Sequence, residues 1–438
     1  MKFGTSGIRG VYGCEIGVSE VLELSVSVAS LGKTQRFVVG SDTRDSCKLI
    51  AQSFAAGLSV GESEVGLMGV VPTPVLAFST REGKYAFGLS CTASHNPPEF
   101  CGIKVFDNSG MVVSSRVERQ IESGSKVRSR SGKSLIIQEE YLGAKYIEQL
   151  LKKFGSAHRK FRILVDCANG AGALYTPRIL SLLGHEVVSI NSHLSSIFPG
   201  RNPEPIAKNL VEVSNLVRDL GVDFGLVHDG DADRLVLVKQ DGVIVPDYAF
   251  SYIMLKIVYD KSPGNIIISI NSSTKLEVLP KEMGFRAIRA RLGKTFLELK
   301  RVGGVFATEP SKIVDPAWGL WEDGIYAAVM LTQYLSKSDF SLTEMLAMVP
   351  HSVYLQQNVR VRPFKFHSLK SKVLGHFESM GIQTVEEIDG LRVTFNDGSW
   401  ILFRLSGTEP RARIYVESND SALSTSLLRQ GIAIYAAL

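Results

Sequence analysis

Arg162-Ile163-Leu164-Val165-Asp166 is an unbroken apolar run with no polar alternation, and the chain keeps repeating that pattern. Phe37-Val38-Val39-Gly40, Phe224-Gly225-Leu226-Val227 and Asn265-Ile266-Ile267-Ile268-Ser269-Ile270 are further examples. Runs of this length suit strands covered on both faces. Between them lie helix-period segments, among them Val21 to Leu31, Tyr141 to Phe154 and Leu210 to Leu220. Strand-helix alternation predicts an α/β fold with mixed, mostly parallel sheets, and such folds place ligands at the carboxyl ends of the strands.

The last eighty or so residues read differently. Trp400 to Arg404 and Ala412 to Val416 look like strands joined by a Gly-Pro loop, followed by a helix from Ser421 to Leu438. This predicts an α+β module with an antiparallel sheet. At 438 residues the chain is too long for one ordinary core, so two to four domains are expected. Polar joints near Ser125 to Lys133, Asp241 to Pro246 and Arg360 to Ser368 are the candidate boundaries.

Charge and cysteine content exclude several classes. The formal net charge is +5, and the basic residues are interspersed with acidic ones, so no nucleic-acid partner is indicated. Cys14, Cys47, Cys91, Cys101 and Cys167 make an odd set with no CxxC pair, which argues for free thiols in a reducing compartment. The start lacks the apolar core of a signal peptide, and no stretch is long and apolar enough for a membrane span. The default expectation is a cytoplasmic protein with no membrane partner.

Four loops carry the chemistry. Thr92-Ala93-Ser94-His95-Asn96-Pro97 places a serine between a threonine and a histidine. A serine before Asn-Pro is common in plain turns. The functional alternative is a serine that carries a phosphoryl group, which needs a cation and hydrogen-bond donors around it. Asp229-Gly230-Asp231-Ala232-Asp233-Arg234 supplies the cation's half of that arrangement. Three carboxylates held together are costly without a positive charge, and oxygen-only ligation favours Mg²⁺ or Ca²⁺. An EF-hand is excluded, because its sixth and twelfth positions would be Arg234 and Gln240 rather than glycine and glutamate. Mg²⁺ fits best, with a phosphate oxygen on Ser94 completing the set and Arg234 pairing with phosphate or a carboxylate.

Arg404-Leu-Ser406-Gly407-Thr408-Glu-Pro410, followed by Arg413, has the ingredients of an anion site. The glycine lets backbone N–H groups converge, two hydroxyls add donors, and the arginines supply permanent bidentate charge. Strand alternation puts Arg413, Tyr415 and Glu417 on one face. Glu309-Pro310-Ser311 offers a carboxylate and a hydroxyl, a pair that could bind sugar hydroxyls in place of water but that alone means almost nothing.

Together these motifs resemble the α-D-phosphohexomutases over essentially the whole chain. The resemblance implies three related α/β domains and a C-terminal α+β domain, here 1–140, 141–243, 244–355 and 356–438. It implies a phosphorylated Ser94, Mg²⁺ on Ser94, Asp229, Asp231 and Asp233, and sugar contacts from Glu309 and Ser311. Arg404, Ser406, Gly407, Thr408 and Arg413 would hold the phosphate that is not reacting. Gly102-Ile-Lys104 matches a family motif whose lysine lies near the reacting hydroxyl, so Lys104 is a candidate for electrostatic help or proton transfer. Phe3-Gly-Thr-Ser-Gly-Ile-Arg9 matches the family's start, which places Arg9 at the active site, and Gly293-Lys294 matches a substrate-contacting loop. His95 would lie beside the nucleophile, in a structural or proton-transferring role. Asp42-Thr-Arg44, Asp166-Cys-Ala-Asn-Gly170 and Asn202-Pro-Glu-Pro205 support the resemblance and read as structural.

Two departures stand out. Cys101 replaces the asparagine common before Gly102, and Thr308 and Lys312 flank the sugar loop where the family has glycines. The stretch from Glu309 to Asp323-Gly-Ile325 looks closest to archaeal-type phosphoglucosamine mutases. The implied reaction is glucosamine 6-phosphate to glucosamine 1-phosphate through a hexose 1,6-bisphosphate that turns over in the site. Phosphoglucomutase and phosphomannomutase are the alternatives, and the oligomeric state would be a monomer or homodimer. A catalytically silent sugar-phosphate-binding protein and a Mg²⁺-dependent phosphatase are the rivals from other classes.

Overall fold

The computed structural model describes residues 1–4, 7–31, 36–59, 62–124, 133–360, 365–405 and 411–437. Ser406, Gly407 and Thr408 lie outside them, as do most of the first candidate joint and half of the third. The chain forms two compact units, Met1–Lys261 with Pro310–Glu344, and Ser262–Glu309 with Met345–Leu438.

The first unit contains two sheets. Six strands run in the order Ile8–Val11, Phe100–Asp107, Phe87–Cys91, Arg36–Ser41, Glu64–Val70, Leu135–Gln138. The central pairs are parallel, and Phe100–Asp107 runs antiparallel to both of its neighbours. Helices Val18–Leu31 and Asp45–Leu58 pack on this sheet, and Phe37, Val39, Phe54, Val65 and Leu89 are fully buried between them. The second sheet orders Val236–Lys239, Phe224–Val227, Arg162–Asp166 and Glu186–Ile190, with one antiparallel pair at the edge. The apolar runs are thus strands covered on both faces, as the sequence predicts.

Two loops leave the carboxyl ends of these parallel strands side by side. Cys91 leads into Thr92-Ala-Ser94, and Val227 leads into His228 and the acidic loop. Gly230 is what lets them meet, because a Cβ there would lie 2.7 Å from the Ser94 carbonyl oxygen. The helix Gly324–Lys337 buttresses the acidic loop from behind. Asp323 caps it by accepting from Tyr326 N at 2.8 Å, and Gly324 N donates to the Ala232 carbonyl at 3.2 Å.

The second unit pairs three parallel strands, Ala287–Ala290, Ile266–Ser269 and Phe306–Glu309, with a five-stranded antiparallel sheet. That sheet orders Val353–Arg360, Arg411–Ser418, Trp400–Leu405, Leu391–Phe395 and Ile382–Glu386. Helices Phe366–Phe377 and Ser421–Ala436 cover one face over Phe395, Phe403, Ile414 and Leu427. Trp400, Leu402 and Tyr415 on the other face pack with Ile270 of the parallel strands. The predicted α+β module is present, with Trp400–Leu405 and Arg411–Ser418 antiparallel.

Candidate active site

Ser94 sits on a loop built by Asp42 and Arg44, two residues that the sequence reads as structural support. Asp42 Oδ2 accepts from Thr92 Oγ1 at 2.7 Å and from Ala93 N at 3.3 Å. Thr92 Oγ1 in turn accepts from Ser94 N at 2.8 Å. Arg44 is ion-paired to Asp42, and its Nη2 donates to the Ser94 carbonyl at 3.0 Å. This buried frame holds Ser94 at φ +52°, a left-handed conformation that costs a non-glycine residue of order 1 kcal/mol or more. Arg9 Nη1 reaches the same loop, donating to Asn96 Oδ1 at 3.0 Å.

Ser94 Oγ donates to Asp229 Oδ2 at 2.6 Å, and His95 Nδ1 lies 3.3 Å from the same hydroxyl. Burial, then Arg234, Arg9 and Lys312, hold the His95 imidazole well below its ordinary value, so the ring is neutral.

Asp229, Asp231 and Asp233 are all buried, and one carboxylate oxygen from each lies within 4.8 Å of the others. Burial and the charges of Asp231 and Asp233 raise the Asp229 carboxyl to about 7. Burial works against ionisation of Asp231 and Asp233 too. There it is outweighed by cations: Lys104 and hydrogen bonds pull Asp231 down, and Lys104, Lys312 and Arg234 pull Asp233 far down. Lys104 Nζ donates to Asp231 Oδ2 at 2.7 Å and Asp233 Oδ2 at 2.6 Å. Burial lowers the Lys104 ammonium, but the two aspartates overcome it and the net direction is upward.

Among the described residues, Asp231 Oδ1 and Asp233 Oδ1 are buried and have no hydrogen-bond partner. Unpartnered buried carboxylate oxygens carry the full cost of desolvation unless a cation takes them. The trio therefore fits a hard divalent cation, with Asp229, Asp231 and Asp233 as the residues that could hold it. Arg234 stands at the rim, its Nε 3.8 Å from Asp229 Oδ2.

The sugar-loop candidates each have definite partners. In the first unit Ser311 adopts φ +63° and donates through Oγ to Asp247 Oδ1 at 3.0 Å, while its carbonyl accepts from Leu235 N at 2.9 Å. In the second unit Glu309 Oε1 accepts from Gly293 N at 2.8 Å and Thr295 Oγ1 at 2.9 Å. The carboxylate therefore fixes the turn that presents Lys294, which is half-buried at the start of helix Thr295–Val302.

Of the phosphate-loop candidates, Arg404 and Arg413 are described. They face each other across the antiparallel pair, Arg404 largely buried and Arg413 exposed. Arg404 Nε donates to Asp389 Oδ2 at 2.7 Å.

Sequence reasoning missed four residues. Thr73 donates through Oγ1 to Asp231 Oδ2 at 2.6 Å, from a helix start 158 residues away. Asp247 holds Ser311, and Asp389 holds Arg404. Lys312 was noted only as a departure, yet its Nζ lies 2.9 Å from Asp233 Oδ2. None of these stands in a local motif. Lys312 lies 79 residues from Asp233, so no sequence signal joined its charge to the acidic loop.

Family models match three segments: the phosphoglucomutase/phosphomannomutase alpha/beta/alpha domain I over 1–130, domain II over 144–242, and the C-terminal domain over 359–430. The chain belongs to the phosphoglucomutase/phosphomannomutase family. It is 32% identical to a phosphoglucosamine mutase of Methanococcus vannielii, with 99% of this chain and 98% of that one aligned. A phosphopentomutase of Thermococcus kodakarensis is also 32% identical, over 95% of this chain and 93% of that one. The crystal structure of a phosphoglucomutase/phosphomannomutase family protein from Burkholderia thailandensis superposes with a TM-score of 0.87 at 23% identity, covering 99% of this chain and 97% of that one. This family member thus shares the fold of the solved structure along its whole length.

Proposed function

We propose that this enzyme is a phosphoglucosamine mutase, which interconverts glucosamine 6-phosphate and glucosamine 1-phosphate through phospho-Ser94. One observation carries the reading: the Ser94 hydroxyl, on a strained and buried loop, is bonded to an acidic trio that also grips Lys104. A nucleophile, a cation site and a fixed ammonium then converge on one point, which is what phosphoryl transfer requires. The phosphoglucosamine mutases of Methanococcus vannielii and Methanocaldococcus jannaschii, each 32% identical over nearly the whole chain, support the choice of sugar.

The sugar's free hydroxyl oxygen attacks the phosphorus on Ser94. A new O–P bond forms as the P–Oγ bond breaks, and the hydroxyl gives up its proton. Ser94 Oγ regains a proton and, as a hydroxyl, donates a hydrogen bond to Asp229 Oδ2. Neutral His95 is the group placed to accept or return that proton. Lys104, hydrogen-bonded to Asp231 and Asp233, supplies a fixed charge beside the transfer. Mg²⁺ at Asp229, Asp231 and Asp233, when bound, offsets the carboxylates and polarises a phosphoryl oxygen. The resulting hexose 1,6-bisphosphate turns over. Its second phosphate meets Ser94, which takes the phosphoryl back, while Arg404, Ser406, Gly407, Thr408 and Arg413 hold the other. Arg9 and Arg234 add charge near the reacting group, and Glu309, Ser311 and Lys294 bind the sugar. The four domains would be 1–140, 141–243, 244–355 and 356–438, and the three matched segments fall inside the first, second and fourth.

The test is phosphorus NMR of the Mg²⁺-loaded enzyme with catalytic hexose 1,6-bisphosphate. Glucosamine, glucose and mannose 6-phosphates and ribose 5-phosphate would be offered separately. Fastest isomerisation of glucosamine 6-phosphate is expected. Release of inorganic phosphate without isomerisation would contradict the mutase, and a preference for the pentose would replace the sugar.

A further inference from the structure

A lysine from the sugar turn reaches the acidic loop. The resemblance to the phosphohexomutases implies glycine at position 312, and this chain has lysine. The Lys312 side chain is buried and turns back onto the metal loop, its Nζ 2.9 Å from Asp233 Oδ2 and also paired with Glu322. Lys104 Nζ approaches the same Asp233 oxygen at 2.6 Å. One carboxylate oxygen thus carries two ammonium groups. The turn bearing Lys312 is also fastened to the loop by its backbone, since the Ser311 carbonyl accepts from Leu235 N.

We infer that Lys312 is a built-in counter-ion of the metal loop that lowers its affinity for divalent cations. The inference rests on the reading of Asp229, Asp231 and Asp233 as the cation site. The physical basis is direct. An ion entering among the three carboxylates meets a buried ammonium within bonding distance of one of them. In a low-dielectric site that like charge is screened far less than it would be in water. Glu322 offsets part of it by holding the same ammonium. The sugar turn of this chain therefore sets the strength of metal binding as well as contributing Ser311.

The experiment is Mn²⁺ titration of the full-length protein, followed by electron paramagnetic resonance of the free ion. Wild type, Lys312→Met, Lys312→Arg and Glu322→Gln are compared, with Asp231→Asn as the control for the site itself. Lys312→Met should bind Mn²⁺ about tenfold more tightly, Lys312→Arg should match wild type, and Glu322→Gln should bind more weakly. Near-ultraviolet circular dichroism confirms that each variant is folded. If Lys312→Met binds Mn²⁺ no more tightly than wild type, the inference fails. If Lys312→Met fails to fold, the sign of the Glu322→Gln change decides, and unchanged or tighter binding there overturns the inference. If wild type and Asp231→Asn bind equally, the cation-site reading fails first and takes this one with it.

Discussion

Thr73 Oγ1 donates to Asp231 Oδ2 at 2.6 Å, and Thr73 N donates to the Asp231 carbonyl at 3.0 Å. The first helix after the Glu64–Val70 strand therefore orients the middle carboxylate of the acidic loop. Asp231 Oδ2 also takes Lys104, which leaves Oδ1 as the oxygen without a partner among the described residues. Asp231→Asn keeps the shape but removes the charge. It should raise the Mg²⁺ concentration needed for half-maximal activity by about 10-fold or more. Unchanged metal dependence would remove Asp231 from the cation site.

Asp389 should act through Arg404. Its Oδ2 accepts from Arg404 Nε and, at 3.3 Å, from Leu292 N beside the Gly293-Lys294 turn. With Nε held in this way, the terminal nitrogens would serve as a fork for the phosphate proposed to bind there. Asp389→Ala should raise KM for the phosphosugar by about 10-fold while kcat changes much less. Asp389→Asn should recover part of the loss. A fall in kcat at constant KM would contradict a positioning role.

Glu417 is a structural acid rather than a ligand. Its carboxylate accepts from Ser273, Ser352 and Trp400, and from Thr274 N at 2.9 Å and Thr274 Oγ1 at 3.0 Å. Burial raises the group, yet these donors overcome it and hold the carboxyl below its ordinary value. Glu417→Ala leaves the donors unpaired inside the second unit and should cost about 3 kcal/mol. Urea unfolding would measure it, and a loss under about 1 kcal/mol would show that water or neighbouring groups replace the carboxylate.

His185 should give the protein an acid-sensitive term. Burial lowers its imidazole to about 4. Its Nδ1 accepts from Phe161 N at 3.2 Å, and its ring stacks on Phe161. The unfolded chain takes up a proton near pH 6.5 that the folded chain refuses until about pH 4. The contribution is therefore complete above 6.5, declines as pH falls through that window, and levels off below it. His185→Gln should remove about 1–2 kcal/mol of this decline after solvent screening. The test is the stability difference between wild type and variant at pH 7.5 and pH 4.5. An identical difference at both would exclude His185 as the source.

Much of this architecture was legible in the sequence because it is local. Arg162–Asp166 and Phe224–Val227 form strands with the bounds of their apolar runs, and Tyr141–Phe154 forms the helix its periodicity describes. The acidic trio was legible for the same reason, since its spacing lies within five residues. The contacts that were not legible join distant segments. Arg44 reaches the Ser94 carbonyl across 50 residues, Lys312 reaches Asp233 across 79, and Leu292 reaches Asp389 across 97. No periodicity or motif encodes such pairings. They follow from which strand ends the topology brings together, and from the burial that makes an unpaired charge costly.

Ser94 is proposed to relay the phosphoryl group. The direct measurement is to label Ser94 with radioactive phosphate, add unlabelled glucosamine 6-phosphate with Mg²⁺, and follow the label over the first turnovers. The account predicts that label leaves the protein at the rate of catalysis and appears in hexose bisphosphate and then hexose phosphate. Ser94→Ala, with the same fold, should neither take up label nor turn over. Label that stays on the protein while substrate isomerises would contradict the account.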